Sequence, residues 1–383
     1  MKIAIDIRNI GKKRTGDEVV FFNLVKQFSI IDQENEYVLL TDRNPEQDAD
    51  LKIEIEKLNL NSNLKVVALS ENSAGKFSWN AWLLPKYLRA NPVDILLTQY
   101  ITPFFVPKKV KIITIVHDVS FKVFPQMVGR MDLFFMNTLI PMSLKRANKI
   151  IGVSKFTADE ILKYYKVEAK KVDWIHNAVA DNFFQEYSTE QLEAVRKKYN
   201  LPQKFILYIG TLQPRKNLPA LIEAYIKIQT EKRHGIGLVL AGGRGYNFDK
   251  KIEEFIKSYS LQDYVFLPGF IDEKDKPLIF RLAHVFCFPS FYEGFGIPVL
   301  EAMTLGIPVL ASNIPPHIEI SEGSISVFDV NNPKDFSEKL MQIVSNESLR
   351  ADLTKNELAQ AAKFSWRQTA QKMLGICQKL DNK

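Results

Sequence analysis

Glu293 and Glu301 stand eight residues apart on either side of a Gly-x-Gly step in PSFYEGFGIPVLEAMTLGIPVLAS, residues 289–312. The stretch reads as a strand ending at Phe288, a loop holding Gly294, Phe295 and Gly296, and a helix. Ile297 leads into that helix, Pro298 fits its first position, and LEAMTL continues it. Glycines here let the backbone come close to a ligand, and the free N–H groups of a helix start favour an anion. Val299 occupies the place of the third glycine in a dinucleotide fingerprint, so a diphosphate fits better than NAD. Glu301, in the opening turns, has the chemistry to accept hydrogen bonds from ribose hydroxyls, and Glu293 to reach a group carried on the second phosphate. Taken singly, each has a plainer reading: a capping carboxylate for Glu301 and an exposed turn residue for Glu293.

A second stretch, YIGTLQPRKNLPALIEAY (208–225), runs from strand to helix and sets Arg215 and Lys216 near a helix N-terminus. Two cations there can neutralise a diphosphate both in the ground state and as it leaves. Their plainer reading is solvated loop charge, and an exposed loop lysine adds little to stability.

The elements that must carry these loops alternate between β-branched apolar runs and helical patterns, as in parallel α/β sheets. In the first half the strands are predicted at 2–7, 37–41, 64–69, 94–98, 111–118, 149–154 and 172–177, each nearly continuous in apolar residues as buried parallel strands are. Helices are expected after Gly16, across WNAWLLPKYLRA and over 127–147. A polar segment, 181–203, reads as a linker, and the strand pattern restarts at 204–210 and continues at 237–242, 264–269, 284–290, 307–312 and 324–330. The expected organisation is a first domain over 1–180, the linker, a second domain over 204–363 and a terminal amphipathic helix over 364–383. Two doubly wound α/β domains imply a cleft, with ligands beyond the carboxyl ends of the strands. The Met- and Phe-rich helix VGRMDLFFMNTLIPMSLKRA (128–147) could touch lipid, but its helical spacing favours core packing.

Composition narrows the class. With 383 residues, 46% hydrophobic and 25% charged, the chain is close to the globular average and is neither fibrous nor disordered in type. Cys287 and Cys377 are far apart and lack neighbouring metal-ligand spacing, so a disulfide framework and a zinc site are not expected. Lone thiols suit a reducing cytosol. The N-terminus MKIAIDIRNI alternates like a strand, unlike a signal peptide, and a soluble cytoplasmic protein is expected. The net charge of +7 is concentrated in residues 101–180, where 13 Lys/Arg face 6 Asp/Glu. That surplus suits solubility, a phosphorylated substrate or a peripheral contact with anionic lipid at the inner membrane face. No nucleic-acid-binding signature accompanies it.

With these residues in view, the chain resembles the retaining glycosyltransferases of GT-B architecture, in the large group that includes bacterial mannosyltransferases. Glu293 and Glu301 within YEGFGIPVLEAM match that family's E-x7-E signature. The resemblance implies that Glu293 contacts hydroxyls of the donor sugar and that Glu301 binds the nucleotide ribose. It implies a diphosphate clamp built from an Arg just after the strand glycine and a Lys before the helix. Lys216 matches the Lys, Thr211 occupies the Arg position, and whether Arg215 takes over that charge is open. Gly210 would pack closely against the nucleotide. VHDVSF (116–121) resembles the loop whose histidine lies beside the donor sugar, which makes His117 a candidate, while Asp118 reads as a loop cap. GKKRTGDEVV (11–20) resembles the N-terminal glycine loop, with Gly16 toward donor phosphate, and Phe270 and Ile271 resemble the segment that reads the base through its backbone. Asp48 and Asp50 form D-x-D, a metal-binding pattern of a different transferase architecture, but the run DRNPEQDAD reads as solvated loop.

The function so implied is retaining, metal-independent transfer of a hexose to a saccharide or lipid-linked acceptor in surface polysaccharide assembly. No cofactor is expected, since the nucleotide-sugar donor is itself a substrate. GDP-mannose is the first choice of donor and a UDP- or dTDP-hexose the alternative. A nucleotide-sugar 2-epimerase would need no acceptor, and a noncatalytic nucleotide-sugar-binding protein would turn nothing over. Nucleoside diphosphate release with and without acceptors separates the three.

Overall fold

Most predicted apolar runs become strands buried on both faces of a parallel sheet, where β-branched side chains pack well, while the edge strands Leu64–Ala68 and Val172–Trp174 stay partly exposed. In the computed structural model, which describes residues 1–12, 16–71, 75–231, 235–245 and 247–382, thirteen strands form two sheets. The first holds β1 (Lys2–Asp6), β2 (Glu36–Thr41), β3 (Leu64–Ala68), β4 (Ile95–Gln99), β5 (Lys111–Val116), β6 (Lys149–Gly152) and β7 (Val172–Trp174) in the order β3-β2-β1-β4-β5-β6-β7. The second holds β8 (Lys204–Ile209), β9 (Ile236–Ala241), β10 (Val265–Phe266), β11 (Val285–Phe288), β12 (Val309–Ser312) and β13 (Ser326–Phe328) in the order β10-β9-β8-β11-β12-β13. The pairings are parallel, with registers such as Ile5↔Leu39 and Tyr208↔Leu240. Both sheets therefore reverse their strand order once, between the first and fourth strands of the set, as doubly wound folds do.

The chain divides into two units, residues 1–178 with 365–383 and residues 179–364. The segment expected as a linker is folded into the second unit. Its helix Thr189–Lys198 starts on a reciprocal cap between Ser188 and Gln191, and Lys198 pairs with Asp272 and Asp275 at 2.6 Å each. The terminal helix Trp366–Asp381 belongs to the first unit. Thr369 Oγ1 donates to the His176 carbonyl at 2.6 Å, Lys372 lies 3.6 Å over the Trp174 ring, and Met373 and Cys377 are buried. Amphipathic spacing revealed that helix, but not which apolar surface it would cover.

Two local expectations change. Asp48 is not a loop residue but the cap of helix Ala49–Leu58, accepting from the Leu51 N–H at 2.9 Å and pairing with Arg43 at 2.6 Å. The helix Arg130–Arg146, expected to pack in the core, buries Ile140, Ser143 and Leu144 and leaves Met131, Phe134, Phe135 and Met142 exposed. Its solvent-facing residues mix these apolar side chains with Asp132, Asn137, Thr138 and Lys145.

Candidate active site

In the second unit the switch point lies between β8 and β11, and the loops leaving both strands carry the residues singled out from the sequence. After β8 a tight turn, Pro214–Lys216, leads through Asn217 at φ +55° into helix Leu218–Glu231. After β11 the chain runs through Glu293 and Gly294 to helix Ile297–Thr304. The Phe291 N–H donates to the Arg215 carbonyl at 3.0 Å, which ties the two loops together.

That tie brings the charges onto one carboxylate. Lys216 Nζ lies 2.5 Å from Glu293 Oε1, and an Arg215 guanidinium nitrogen lies 3.4 Å from Glu293 Oε2. The same guanidinium donates to the Tyr292 carbonyl at 2.5 Å, and Lys216 Nζ stands 5.0 Å over the Phe288 ring. Lys216 and Glu293 are both buried, against the expectation of an exposed loop lysine and an exposed turn residue. Burial alone would raise the Glu293 pKa, but Lys216 and Arg215 outweigh it and hold it down at about 2. The carboxylate is ionised at neutral pH, so two cations share one anion here.

The helix start beside this cluster has no side-chain cap. Gly296 sits there at φ +106°, a left-handed conformation, and a Cβ on it would come within 3.2 Å of His317 Cδ2. The helix opens at Ile297, so Pro298 takes its second position, which the missing N–H equally allows. Phe295 is buried and meets Phe364 edge-on at 6.1 Å. Glu301 is not a cap. It is buried on the inner side of the helix, its Oε1 2.7 Å from Lys276 Nζ, and its Oε2 has no hydrogen-bond partner among the described residues. Burial raises the Glu301 pKa against the pull of Lys276, and Glu301 and Glu273 raise that of Lys276 despite burial.

The loops after the neighbouring strands complete the surroundings. Gly210 follows β8, and Gly242 follows β9 so closely that a Cβ on Gly242 would stand 1.8 Å from the Gly210 carbonyl oxygen. The Thr211 carbonyl accepts from the Tyr208 hydroxyl at 2.8 Å. In the loop after β10, Phe270 is exposed and Ile271 is buried. Arg244 is exposed and pairs with Glu253.

Lys276 and His317 were not singled out from the sequence. Lys276 lies in the charged run DEKDKP and looks like surface, and His317 is a lone histidine in the apolar PPHIEI. His317 Nδ1–H donates to the Ser312 carbonyl at 2.9 Å, and burial lowers its pKa to about 4, so the ring is neutral beneath the Gly296 turn.

The remaining candidates lie in the first unit. His117 follows β5 by one residue, and its Nε2–H donates to Gln99 Oε1 at 2.8 Å. Burial lowers its pKa. Tyr100, at φ +49°, accepts the Asp118 N–H on its hydroxyl, and Asp118 accepts from the Ser120 N–H, which makes it the loop cap expected. Gly16, at φ +65°, opens helix Asp17–Ile31 without a side-chain cap, while Lys13, Arg14 and Thr15 of the same loop lie outside the described residues.

Comparison with known proteins places the chain in a family and an architecture. Residues 191–360 match the family described as glycosyl transferases group 1, and residues 15–183 match glycosyltransferase family 4. The O-antigen chain mannosyltransferase B of Escherichia coli is 31% identical over 264 residues, 69% of either chain. The serotype-specific mannosyltransferase WbdA of the same organism is 34% identical over 239 residues, 62% of this chain but only 29% of that one. Among solved structures, sucrose-phosphate synthase of Thermosynechococcus elongatus superposes with a TM-score of 0.76 at 17% identity, over 99% of both chains. Anabaena HepE in complex with UDP and glucose superposes with a TM-score of 0.74 at 16% identity, over 99% of this chain and 100% of that one. These neighbours fix the architecture as GT-B, with two Rossmann-like domains. The chain belongs to the group 1 glycosyl transferases, and it is a glycosyltransferase of the hexosyltransferase class.

Proposed function

We propose that the second unit binds a nucleotide-sugar donor through its diphosphate and that the enzyme moves the hexose to a saccharide or lipid-linked acceptor in surface polysaccharide assembly. The observation that carries this reading is the buried cluster of Lys216, Arg215 and Glu293 beside the uncapped helix start at Gly296. Two cations on one carboxylate leave a positive balance where a diphosphate would sit, and the helix dipole adds to it. As the bond from the anomeric carbon to the diphosphate breaks, negative charge grows on the leaving group and these donors stabilise it. The new bond to the acceptor oxygen forms on the same face of the sugar, and the acceptor's proton passes to the leaving phosphate, so configuration is retained. In this reading Glu293 orients the sugar hydroxyls, Glu301 binds ribose through its unpartnered oxygen, and the loop at Phe270 and Ile271 holds the base.

GDP-mannose is the first choice of donor, supported by the mannosyltransferase relatives, with a UDP- or dTDP-hexose as the alternative. In this reading the protein cations take over the neutralisation of the diphosphate, so turnover is proposed to need no metal. A panel of donors assayed for nucleoside diphosphate release, with and without acceptors, tests the reading. Acceptor-dependent release from GDP-mannose is expected. Acceptor-independent release of a free or epimerised sugar would favour a 2-epimerase instead, and binding without release a noncatalytic protein. Excess EDTA should leave the rate nearly unchanged, and a complete loss restored by metal would overturn the metal-independent part.

A further inference from the structure

Lys276 opens the helix Lys276–Leu282, which follows the loop from Phe270 to Asp275 after β10. Its Nζ lies 2.7 Å from Glu301 Oε1, and the two side chains are only 13% and 5% exposed. A buried ion pair often gives no net gain over well-packed apolar residues, so stability alone does not account for this one. The second carboxylate oxygen sharpens the point. Glu301 Oε2 is buried and has no hydrogen-bond partner among the described residues, and leaving a buried acceptor unmade is costly. One oxygen is pinned, and the other is unspent.

The loop that carries Lys276 is itself held. Lys198 Nζ bridges Asp272 and Asp275 at 2.6 Å each, and the Tyr199 hydroxyl donates to Asp275 at 2.9 Å and accepts the Asp272 N–H at 3.2 Å. The Asn182 amide donates to the Glu273 carbonyl at 3.2 Å, and Lys276 Nζ stands 5.9 Å over the Phe183 ring. The ammonium therefore reaches Glu301 from a fixed base. Burial pushes the Glu301 pKa up and Glu273 adds to it, while Lys276 pulls against both and favours the ionised form, which accepts hydrogen bonds. We propose that Lys276 is a positioning residue for nucleotide recognition: by holding Glu301 Oε1 it fixes the side chain so that Oε2 is presented to the ribose hydroxyls of the donor, and so sets the selectivity for a ribonucleotide. The proposal rests on the reading of Glu301 as the ribose-binding carboxylate and adds the residue that aims it. Lys276 acts through Glu301 and not on the ribose.

The test is calorimetry on the full chain with GDP and 2′,3′-dideoxy-GDP, run in parallel with the corresponding UDP pair. Within a pair the base and the diphosphate are identical, so the ratio of affinities isolates the sugar hydroxyls. The wild type should prefer the ribonucleotide by about tenfold or more, as for a hydrogen bond to a charged group. Lys276→Met should bring the ratio close to one, whereas Lys276→Arg, which keeps a cation on Oε1, should retain most of the preference. Loss of a positive charge, or a general loosening of the loop, would weaken both ligands alike and leave the ratio unchanged. A wild-type ratio in a folded Lys276→Met protein would therefore overturn the proposal while leaving the ribose reading of Glu301 intact. A ratio near one in the wild type would overturn both. Because Lys276→Met strands a buried carboxylate, Glu301→Gln and Lys276→Met/Glu301→Gln give a second comparison in which that charge is absent. These two should show the same ratio, since the lysine has no carboxylate left to aim. A further fall in the double variant would mean that Lys276 meets the ribose directly, and the positioning role would be wrong.

Discussion

The two sheets share one topology and use it differently. At the switch point of the first, between β1 and β4, Arg8 and Asp6 are closed on each other. Arg8 grips Asp6 in a two-pronged contact at 2.8–2.9 Å, Trp79 donates its indole N–H to the same carboxylate, and Arg8 lies 4.5 Å over the Trp79 ring. Among the described residues, Arg8 meets Asp6 one to one, and an aromatic ring covers the pair. At the corresponding point of the second sheet, two cations meet one anion beside an uncapped helix start. Strand order brings loops together, but the residual charge decides what those loops can hold.

The largest expected effect comes from breaking the two-to-one balance. Lys216→Ala should lower turnover on the order of 10²–10³-fold, the cost of removing one donor positioned on developing negative charge. Because Lys216 is buried against Glu293, the substitution should also destabilise the fold by about 3 kcal/mol, as loss of one partner of a buried ion pair does. Lys216→Arg keeps the charge and should recover much of the stability. Normal turnover in a folded Lys216→Ala protein would move the clamp to Arg215 alone and erase the contrast between the sheets.

That stability cost was not legible in the sequence. The strands were, because short continuous apolar runs alternating with helical patterns suit the buried strands of parallel sheets, and that local pattern needs no tertiary knowledge. YVFLPG shows the limit: Val265 and Phe266 alone pair, and the remainder leaves the sheet as the loop to Phe270. The E-x7-E spacing and the RK pair were legible for the same local reason. Lys276 was not, since its pairing with Glu301 joins helices 25 residues apart and its local context is charged. The burial of Lys216 depends on Phe288 and Glu293, which arrive from another strand. The outward face of helix Arg130–Arg146 was misjudged because Met and Phe at helical spacing are ordinarily core residues, and local sequence does not show which of them meet a neighbour.

The second effect is a pH dependence to which the second switch point contributes two groups. Glu293 has a folded pKa of about 2 against an ordinary 4.5, so the stability it supplies is fully present above about pH 4.5 and is lost as the pH falls toward 2. A shift of this size corresponds to about 3 kcal/mol. His317 acts over a higher window: its folded pKa of about 4 lies below the ordinary 6.5, so protonation favours unfolding as the pH falls from 6.5 to 4. Urea unfolding at stepped pH should show both losses in the wild type. Glu293→Gln should reduce the slope of the lower window and spare the upper, since lowered carboxylates such as Asp32 and Asp48 remain. An unchanged slope below pH 4.5 in that variant would mean that Glu293 is not the ionised partner of the two cations.

The smallest effect separates the two glutamates. Glu301 is proposed to bind ribose, which is the same in ground and transition states, so its loss should raise KM and spare kcat. Glu293 is proposed to meet the sugar whose bond is breaking, so its loss should lower kcat. Glu301→Gln should therefore weaken calorimetric binding of free nucleoside diphosphate by about tenfold, a hydrogen bond to a charged group being worth about 1.5–3 kcal/mol. Glu293→Gln should leave diphosphate binding close to wild type, or tighten it, because Lys216 and Arg215 then face the ligand without a competing anion. The pairing of Glu301 with Lys276 complicates one arm, since Glu301→Gln leaves a buried lysine short of its partner. Lys276→Met combined with Glu301→Gln removes both charges together. If the double variant still binds diphosphate about tenfold more weakly, the loss belongs to the ribose contact and not to a stranded cation. Equal loss of diphosphate affinity in the Glu301 and Glu293 variants would instead make the two carboxylates parts of one electrostatic site, and their division between ribose and sugar would be wrong.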